Sequence, residues 1–286
     1  MNNILVTGGN GQLGSELREI APNHQDYNFL FTDVKDLDIT NHSAVAAFIE
    51  SNNITIIINC AAYTAVDKAE SEPELADAIN HLAVANFAQI AKNKNIKLIH
   101  ISTDYVFDGT NHKPYVETDT PNPQSVYGKT KLDGELAMQQ INPANSIIIR
   151  TSWVYSKFGN NFVKTMLRLA ETRDEISVVA DQIGTPTNAA DLAKAILNIL
   201  PQVSNDTVEL FHYSNEGVCS WYDFAKTIFE IKEISIKVNP IETSQYLTPA
   251  VRPFYSVINK NKINIEYKLV KKYWIDSLKF NLVNFE

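Results

Sequence analysis

The chain has 286 residues, of which 44% are hydrophobic and 20% are charged, a composition that supports a sizeable core and excludes a largely disordered protein. Asp and Glu number 33 against 25 for Lys and Arg, so the formal charge is -8 and duplex nucleic acid is excluded as a favoured partner. The two cysteines, Cys60 and Cys219, form no CxxC pair, which excludes a cysteine-built metal ribbon and a disulfide framework.

The first apolar run, residues 4–6, is too short for a signal peptide or a membrane span, and no basic residue precedes it. Few cysteines and no pairing pattern fit a reducing compartment. We therefore expect a cytoplasmic protein with neither a membrane nor a nucleic acid as partner.

Short β-branched runs alternate with helical patterns along the first 150 residues. Strands are predicted at 4–7, 29–32, 54–59, 98–102 and 146–150, with a shorter sixth at 176–179. These runs are apolar at almost every position, which indicates strands covered on both faces, as in a parallel sheet. Apolar residues at helical spacing lie between them, as at Leu13, Leu17 and Ile20. The alternation predicts an α/β fold with a doubly wound parallel sheet.

The pattern changes after about residue 150. Helices are predicted at 161–171, 189–200 and 220–231, among short strands and proline-bearing loops. No flexible linker is visible, so the later part is expected to pack directly on the first. We predict a dinucleotide-binding domain of residues 1–150 plus roughly 176–201. A smaller α/β substrate-binding region would comprise residues 151–175 and roughly 202–286.

A glycine-rich loop, Gly8-x-x-Gly11-x-x-Gly14, directly follows the first strand and precedes a helix. Glycines there allow a sharp turn and let a pyrophosphate reach the positive end of the helix. Asp33 follows the second strand, 19 residues after Gly14, where an acid accepts hydrogen bonds from the adenosine ribose. The context predicts a Rossmann-type dinucleotide site. Asp33 favours NADH, and the choice between NADH and NADPH stays open.

Tyr127 and Lys131 are four residues apart and would share one face of a helix. A tyrosine can supply a proton to a carbonyl during reduction, and a neighbouring ammonium lowers its pKa. The spacing recurs at Tyr222…Lys226 and Tyr267…Lys271. Tyr127 is favoured because it follows Thr103, which lies at the carboxyl end of an apolar strand, where open α/β sheets bind ligands. The Thr103 hydroxyl could donate to the substrate carbonyl.

Together these residues resemble the extended short-chain dehydrogenase/reductase family. The resemblance rests on the glycine loop, on Asn-Cys-Ala-Ala at 59–62, on Ser-Thr-Asp-Tyr-Val-Phe at 102–107 and on Tyr127…Lys131. The stretches 62–70, 150–155, 159–167 and 184–187 are similar to a branch that reduces dTDP-bound 4-keto-6-deoxy sugars. The resemblance extends from residue 3 to at least residue 253.

That resemblance implies an enzyme that uses NADPH or NADH to reduce the C4 keto group of dTDP-4-dehydro-6-deoxy-L-mannose. The product would be dTDP-L-rhamnose, which serves polysaccharide biosynthesis. Two alternatives stay open. One is a non-catalytic NADP(H)-binding regulatory subunit of a partner enzyme, and the other is a reductase or epimerase that acts on a different nucleotide sugar.

The resemblance also assigns residue roles. The implied catalytic residues are Thr103, Tyr127 and Lys131. The implied cofactor-binding residues are Gly8, Gly11, Gln12, Leu13, Gly14, Asp33, Asp38, Ile39, Ala62, Tyr63, Thr64, Tyr127 and Lys131. The implied substrate-binding residues are Thr103, Asp104, Trp153 and Arg252, the last of which would meet the diphosphate.

Two positions depart from the family pattern. Most short-chain reductases carry Ser where Thr103 stands, although the branch named above accepts Thr. Glu16 matches one acidic position through which some bacterial members bind magnesium between two subunits, but the second position is Ala190. No metal site is therefore predicted. The oligomeric state stays open, with a homodimer as one alternative.

Overall fold

A computed structural model of the chain describes residues 2–270 and 272–283. The strands are β1 (Asn2–Thr7), β2 (Tyr27–Thr32), β3 (Ile54–Asn59), β4 (Lys97–Thr103), β5 (Ser146–Thr151), β6 (Val154–Tyr155), β7 (Glu175–Val179), β8 (Ile183–Gly184), β9 (Thr187–Asn188), β10 (Glu209–His212), β11 (Cys219–Ser220) and β12 (Lys237–Ile241). The helices are α1 (Gln12–Ile20), α2 (His42–Ser51), α3 (Val66–Ala69), α4 (Pro73–Asp77), α5 (Ala83–Lys94), α6 (Val126–Ile141), α7 (Phe162–Ala170), α8 (Ala189–Ile199), α9 (Trp221–Ile231), α10 (Asn261–Tyr267) and α11 (Trp274–Leu282). A π-helical turn, Ala78–Leu82, joins α4 to α5.

Six of these strands form one parallel sheet in the order β10–β5–β4–β3–β1–β2. The near-continuous apolar runs are explained by helices on both faces. In β1, Ile4 and Val6 pack into one core cluster and Leu5 packs into the other, and all three are fully buried. The predicted α/β fold with a doubly wound parallel sheet is confirmed.

The two helical layers pack on opposite faces of the sheet. One layer contributes Leu17 of α1, Ile196 of α8 and Ile263 of α10 to its core. The other contributes Phe87 of α5 and Met138 of α6. These layers leave the carboxyl ends of the central strands open between them.

The later part of the chain builds a second core. Helices α7, α9 and α11 pack around a small parallel pair formed by β7 and β12, with Val163, Phe224 and Leu278 in its centre. This arrangement corrects one strand assignment. The run 176–179 was predicted as the sixth strand of the main sheet, but it pairs with β12, and β10 occupies the edge beside β5.

The physical reason is that an apolar run does not specify its partner. Strand β10 has only four residues, and two of them are Glu209 and His212, so it carries no strong strand signal. Residues 209–212 were assigned to the substrate-binding region and lie instead in the main sheet. The remaining bounds of the two regions stay a prediction. Within residues 2–270 and 272–283, no helix is long and apolar enough to cross a membrane.

Candidate active site

A cleft of about 650 Å³ lies at the carboxyl ends of β1, β3, β4 and β5. In the sheet, β1 lies between β2 and β3, so the chain runs to one side after β1 and to the other side from β3 onwards. The cleft therefore lies where parallel α/β sheets bind ligands. Most predicted site residues line it. They are Gly8, Gly11, Gln12, Leu13, Asp33, Asp38, Ile39, Ala62, Thr64, Thr103, Asp104, Tyr127, Lys131 and Trp153.

The glycine loop has the close packing that its sequence predicts. Gly8 has φ +64°, and a Cβ there would lie 2.8 Å from the backbone nitrogen of Ala61. A Cβ on Gly14, in the first turn of α1, would collide with the carbonyl oxygen of Gly8, so glycine lets this helix pack closely on the loop. Gly14 does not itself line the cleft. Larger side chains at these positions would displace the loop ahead of α1, where a pyrophosphate is expected to lie.

Asp33 is fixed at the edge of this cradle. Its Oδ2 accepts a hydrogen bond from the backbone N–H of Asn10, 3.0 Å away, and its Oδ1 accepts one from Val34 at 2.8 Å. Leu37 and Ile39 are buried and supply an apolar wall beside it. An acid next to an apolar wall and a helix start fits the adenosine half of a dinucleotide. Val34 and Leu37 line the cleft but carry no motif, so sequence reasoning missed them.

Thr103 and Tyr127 meet at the centre of the cleft. Thr103 is the last residue of β4, and its Oγ1 accepts a hydrogen bond from the Tyr105 N–H at 3.2 Å. Tyr127 lies in the first turn of α6, which Ser125 caps. A Cβ on Gly128 would collide with the carbonyl oxygen of Tyr105, so glycine lets α6 approach the end of β4 closely.

Burial keeps the Tyr127 hydroxyl protonated. Desolvation raises the pKa of Tyr127 to about 12, with the hydrogen bond between the Thr103 and Tyr127 side chains acting in the opposite direction and the Asp104 carboxylate adding to the rise. Asp104 is itself buried, and desolvation raises its pKa to about 6 against hydrogen bonds from Ser256 and Thr103. Near neutral pH, Tyr127 is therefore a proton donor.

The side chain of Lys131, one helical turn after Tyr127 on α6, is hydrogen-bonded to strand β4. Its side chain is fully buried, its Nζ donates a 2.6 Å hydrogen bond to the Ile101 carbonyl, and the Nε2 of His100 lies 3.4 Å away. Burial lowers the pKa of Lys131 to about 8, opposed by the charge of Glu135. The expectation that Lys131 lowers the pKa of Tyr127 differs from the structure, where burial sets that pKa and the ammonium faces the β4 backbone.

The buried ammonium of Lys131 makes stability depend on pH, so Lys131→Met is expected to remove part of that dependence. The pKa is 10.5 in the unfolded chain and about 8 in the folded one, so between these values the unfolded state binds more protons. The free energy of unfolding of the wild type should therefore rise by about 2 kcal/mol relative to Lys131→Met from pH 8 to pH 10. Urea denaturation of both proteins measures the difference, and parallel pH profiles would contradict it.

A buried ion pair supports α6 behind the cleft. The Arg150 guanidinium donates to both Glu135 carboxylate oxygens, with Nε–Oε1 3.0 Å and Nη2–Oε2 2.7 Å, and Ser102 Oγ donates to the same carboxylate at 2.5 Å. Arg150 and Glu135 are at most 2% exposed. The pair joins β5 to α6, so it fixes the position of Tyr127 and Lys131 relative to the sheet.

Besides Gly14, two predicted residues do not line the cleft, namely Tyr63 and Arg252. The Tyr63 hydroxyl donates to Glu72 at 2.6 Å. The Arg252 guanidinium donates to both oxygens of Asp67, at 3.0 and 2.7 Å, so its donor fork is engaged by an acid and not aimed at the cleft. Contact of Tyr63 with the cofactor and of Arg252 with the diphosphate stay predictions.

Asn80 anchors the loop that contains Tyr63. Its Oδ1 accepts from the Tyr63 N–H at 2.9 Å, and its Nδ2 donates to the Tyr63 carbonyl and to Thr130 Oγ1, both at 3.2 Å. Asn80 lies in the π-helical turn between α4 and α5. A π turn has no single-sequence signature, so its role could not be inferred beforehand.

The acidic side chain considered for a metal, Glu16, has another partner. Glu16 is buried and accepts from Ser156 Oγ at 2.6 Å. In the described residues one group has ligand-type atoms within 4.8 Å of one another, namely Asp77, His81 and Asp133, and none of the three lines the cleft.

A family model described as the RmlD substrate binding domain matches residues 1–286. The chain belongs to that family. A family relative from Sinorhizobium fredii, named dTDP-4-dehydrorhamnose reductase, is 44% identical over 282 residues, which cover 96% of this chain and 94% of that protein. The family resemblance inferred from the motifs is confirmed.

Solved structures of the family superpose over nearly the whole chain. A dTDP-4-dehydrorhamnose reductase from Clostridium acetobutylicum has a TM-score of 0.93 and 44% identity, with 99% of each chain covered. One from Bacillus anthracis, solved in complex with NADP, has a TM-score of 0.94 and 41% identity, with 99% of this chain and 100% of that chain covered. The similarity therefore includes both the sheet and the smaller region.

Proposed function

We propose that the protein reduces the C4 keto group of dTDP-4-dehydrorhamnose to give dTDP-L-rhamnose, with NADPH or NADH as the reductant. The observation that carries this proposal is the meeting of Thr103, Tyr127 and Lys131 in a cleft that begins at the glycine loop. The names and full-length identity of the relatives support the same reaction. The B. anthracis structure with NADP supports the nicotinamide cofactor.

The cleft fits a dinucleotide at one end and a reacting carbonyl at the other. Gly8, Gly11 and Gln12 would hold the pyrophosphate, Asp33 the adenosine ribose, and Lys131 the second ribose. The bound nicotinamide supplies the hydride that adds to C4. The residues of this chain bind the reactants, orient the carbonyl and move one proton.

Tyr127 gives its hydroxyl proton to the oxygen on C4 as negative charge develops there. The Thr103 hydroxyl, which donates to Asp104 Oδ1 at 3.1 Å in the free chain, would turn its proton to the same oxygen. Lys131 would act through the ribose of the nicotinamide half, since its ammonium is held on the Ile101 carbonyl and burial sets the pKa of Tyr127. The raised pKa of Tyr127 suits this direction, because the residue stays protonated until a substrate oxygen accepts its proton.

An assay with purified protein tests the proposal. Incubation with dTDP-4-dehydrorhamnose and NADPH is expected to consume the reduced cofactor and form dTDP-L-rhamnose in equal amounts, and a parallel assay with NADH gives the cofactor preference. Binding of NADPH without turnover would favour the regulatory-subunit alternative. Turnover of a different 4-keto nucleotide sugar in preference to this one would favour the second alternative.

We infer that the protein works in the cytoplasm on a free dTDP-sugar. Cys60 and Cys219 are both unpaired thiols, as expected in a reducing compartment. Gel filtration at several protein concentrations distinguishes a monomer from the homodimer considered above.

A further inference from the structure

Trp153 has an unusual backbone conformation beside the cleft. Its φ is +48°, in the left-handed region that bulky side chains rarely adopt. Among the described residues it is the one aromatic side chain with positive φ. Such a conformation costs about 1–3 kcal/mol and persists where the surroundings enforce it. The residue directly precedes β6, and its carbonyl accepts a hydrogen bond from the Thr187 N–H at 3.1 Å.

The surroundings that enforce it are a second indole and a glycine. The Trp221 ring stacks on the Trp153 ring with centroids 3.5 Å apart and planes 8° apart. Gly184 lies against the same indole, and a Cβ at that position would be 2.5 Å from Cε2 of Trp153. Trp153 lines the cleft and Trp221 does not. Trp221 therefore packs behind a residue of the cleft wall.

Trp221 is itself fixed by the start of α9. Ser220 and Asp223 form a reciprocal capping box, in which Ser220 Oγ accepts from the Asp223 N–H at 3.0 Å and the Asp223 carboxylate accepts from the Ser220 N–H at 2.9 Å. Phe162 packs on the Trp221 ring at 4.6 Å. The stack is thus anchored in the second core.

We propose that Trp221 is a positioning residue that presets Trp153 as an apolar wall for the sugar ring of the nucleotide sugar. The indole is held between Trp221 and Gly184, so the part of it that lines the cleft is fixed in place. This inference rests on the proposed function. A deoxysugar has an apolar face of C–H groups and a C6 methyl, which pack on an indole without hydrogen bonds. Because Trp153 is already fixed, binding does not carry the entropy cost of ordering a large side chain. The gain is expected in the affinity for the sugar portion alone.

The test compares affinity for dTDP-L-rhamnose with affinity for dTDP, measured by calorimetry. In the wild type the sugar should strengthen binding. In Trp221→Leu, affinity for dTDP-L-rhamnose is expected to fall about tenfold, a change of about 1.4 kcal/mol, while affinities for dTDP and NADPH stay within twofold. Trp221→Phe should restore much of the loss because it keeps an aromatic ring behind Trp153. Tyr222→Leu, the next residue on α9, is the matched control and should change neither affinity.

Gly184→Ala is a second variant that leaves Trp221 intact. Its Cβ would displace the Trp153 indole, so the same selective loss of sugar affinity is expected. Equal losses for dTDP-L-rhamnose and dTDP, or no loss in both Trp221→Leu and Gly184→Ala, would overturn the proposal. Because binding of the product is measured without turnover, a failure of the proposed reaction is detected separately, by the activity assay with the wild type.

Discussion

Tyr127→Phe is expected to lower kcat for reduction of dTDP-4-dehydrorhamnose by about 10²- to 10⁴-fold, the usual contribution of a positioned general acid. The substitution removes only the hydroxyl that donates the proton. The phenyl ring keeps the edge-to-face contact with Tyr105, whose centroid lies 5.4 Å away, so the cleft should keep its shape. Affinity for NADPH, measured by fluorescence titration, should stay within about threefold, since Asp33 and the glycine loop are untouched.

Tyr222→Phe is the control for this experiment. Tyr222 also precedes a lysine by four residues, but it lies on α9 and does not line the cleft. Its loss of a hydroxyl should leave kcat within about twofold. Near-normal turnover by Tyr127→Phe would show that another group supplies the proton, and comparable losses in the two variants would show that the effect is not specific to the cleft.

Arg150→Met is expected to lower the free energy of unfolding by about 3–5 kcal/mol, the usual cost of leaving one member of a buried ion pair without its partner. Glu135 would keep its hydrogen bond from Ser102 but lose the two-pronged contact with the guanidinium. Urea denaturation followed by circular dichroism measures the change. A loss below about 1 kcal/mol would mean that the pair contributes no more than a surface ion pair.

Two further variants separate the ion pair from general damage to the core. Arg150→Met combined with Glu135→Leu removes both charges and should be more stable than Arg150→Met alone, because no carboxylate is left buried without a partner. Lys237→Met breaks an exposed ion pair with Glu175 and should leave stability almost unchanged. If the double variant were the less stable of the two Arg150 variants, lost packing would explain the effect better than lost charge pairing.

Most of the fold could be predicted from local patterns in the sequence. The central strands were predictable because helices cover both faces of the sheet, which forces an apolar residue at nearly every position. The predicted helices at 161–171, 189–200 and 220–231 differ from α7, α8 and α9 by no more than one residue at each end. Pairing between distant strands was not predictable, because β7 and β10 have comparable lengths and neither sequence indicates which strand it pairs with.

The same division applies to the cleft. Gly8 and Asp33 were recognisable because their chemistry requires a fixed spacing from a strand end. Tyr127 was recognisable because Lys131 follows it at helical spacing and Thr103 precedes it at a strand end. Side chains that act from behind, such as His100 and Trp221, carry no such spacing, because they are brought to the cleft only by tertiary packing. Arg252 is a different case. It was predicted to meet the substrate diphosphate, and the structure pairs it with the carboxylate of Asp67.

Strand β10 makes the two parts of the molecule inseparable by cutting the chain. It is reached only after the polypeptide has passed through β6, α7 and the β7 segment, yet it covers the outer edge of β5, whose six residues are all buried. A fragment that ends near residue 150 would present that strand as a bare parallel edge, an open template for association with other chains. The first 150 residues are therefore not a module that can be moved to another protein by themselves. The later half contributes one strand of their sheet.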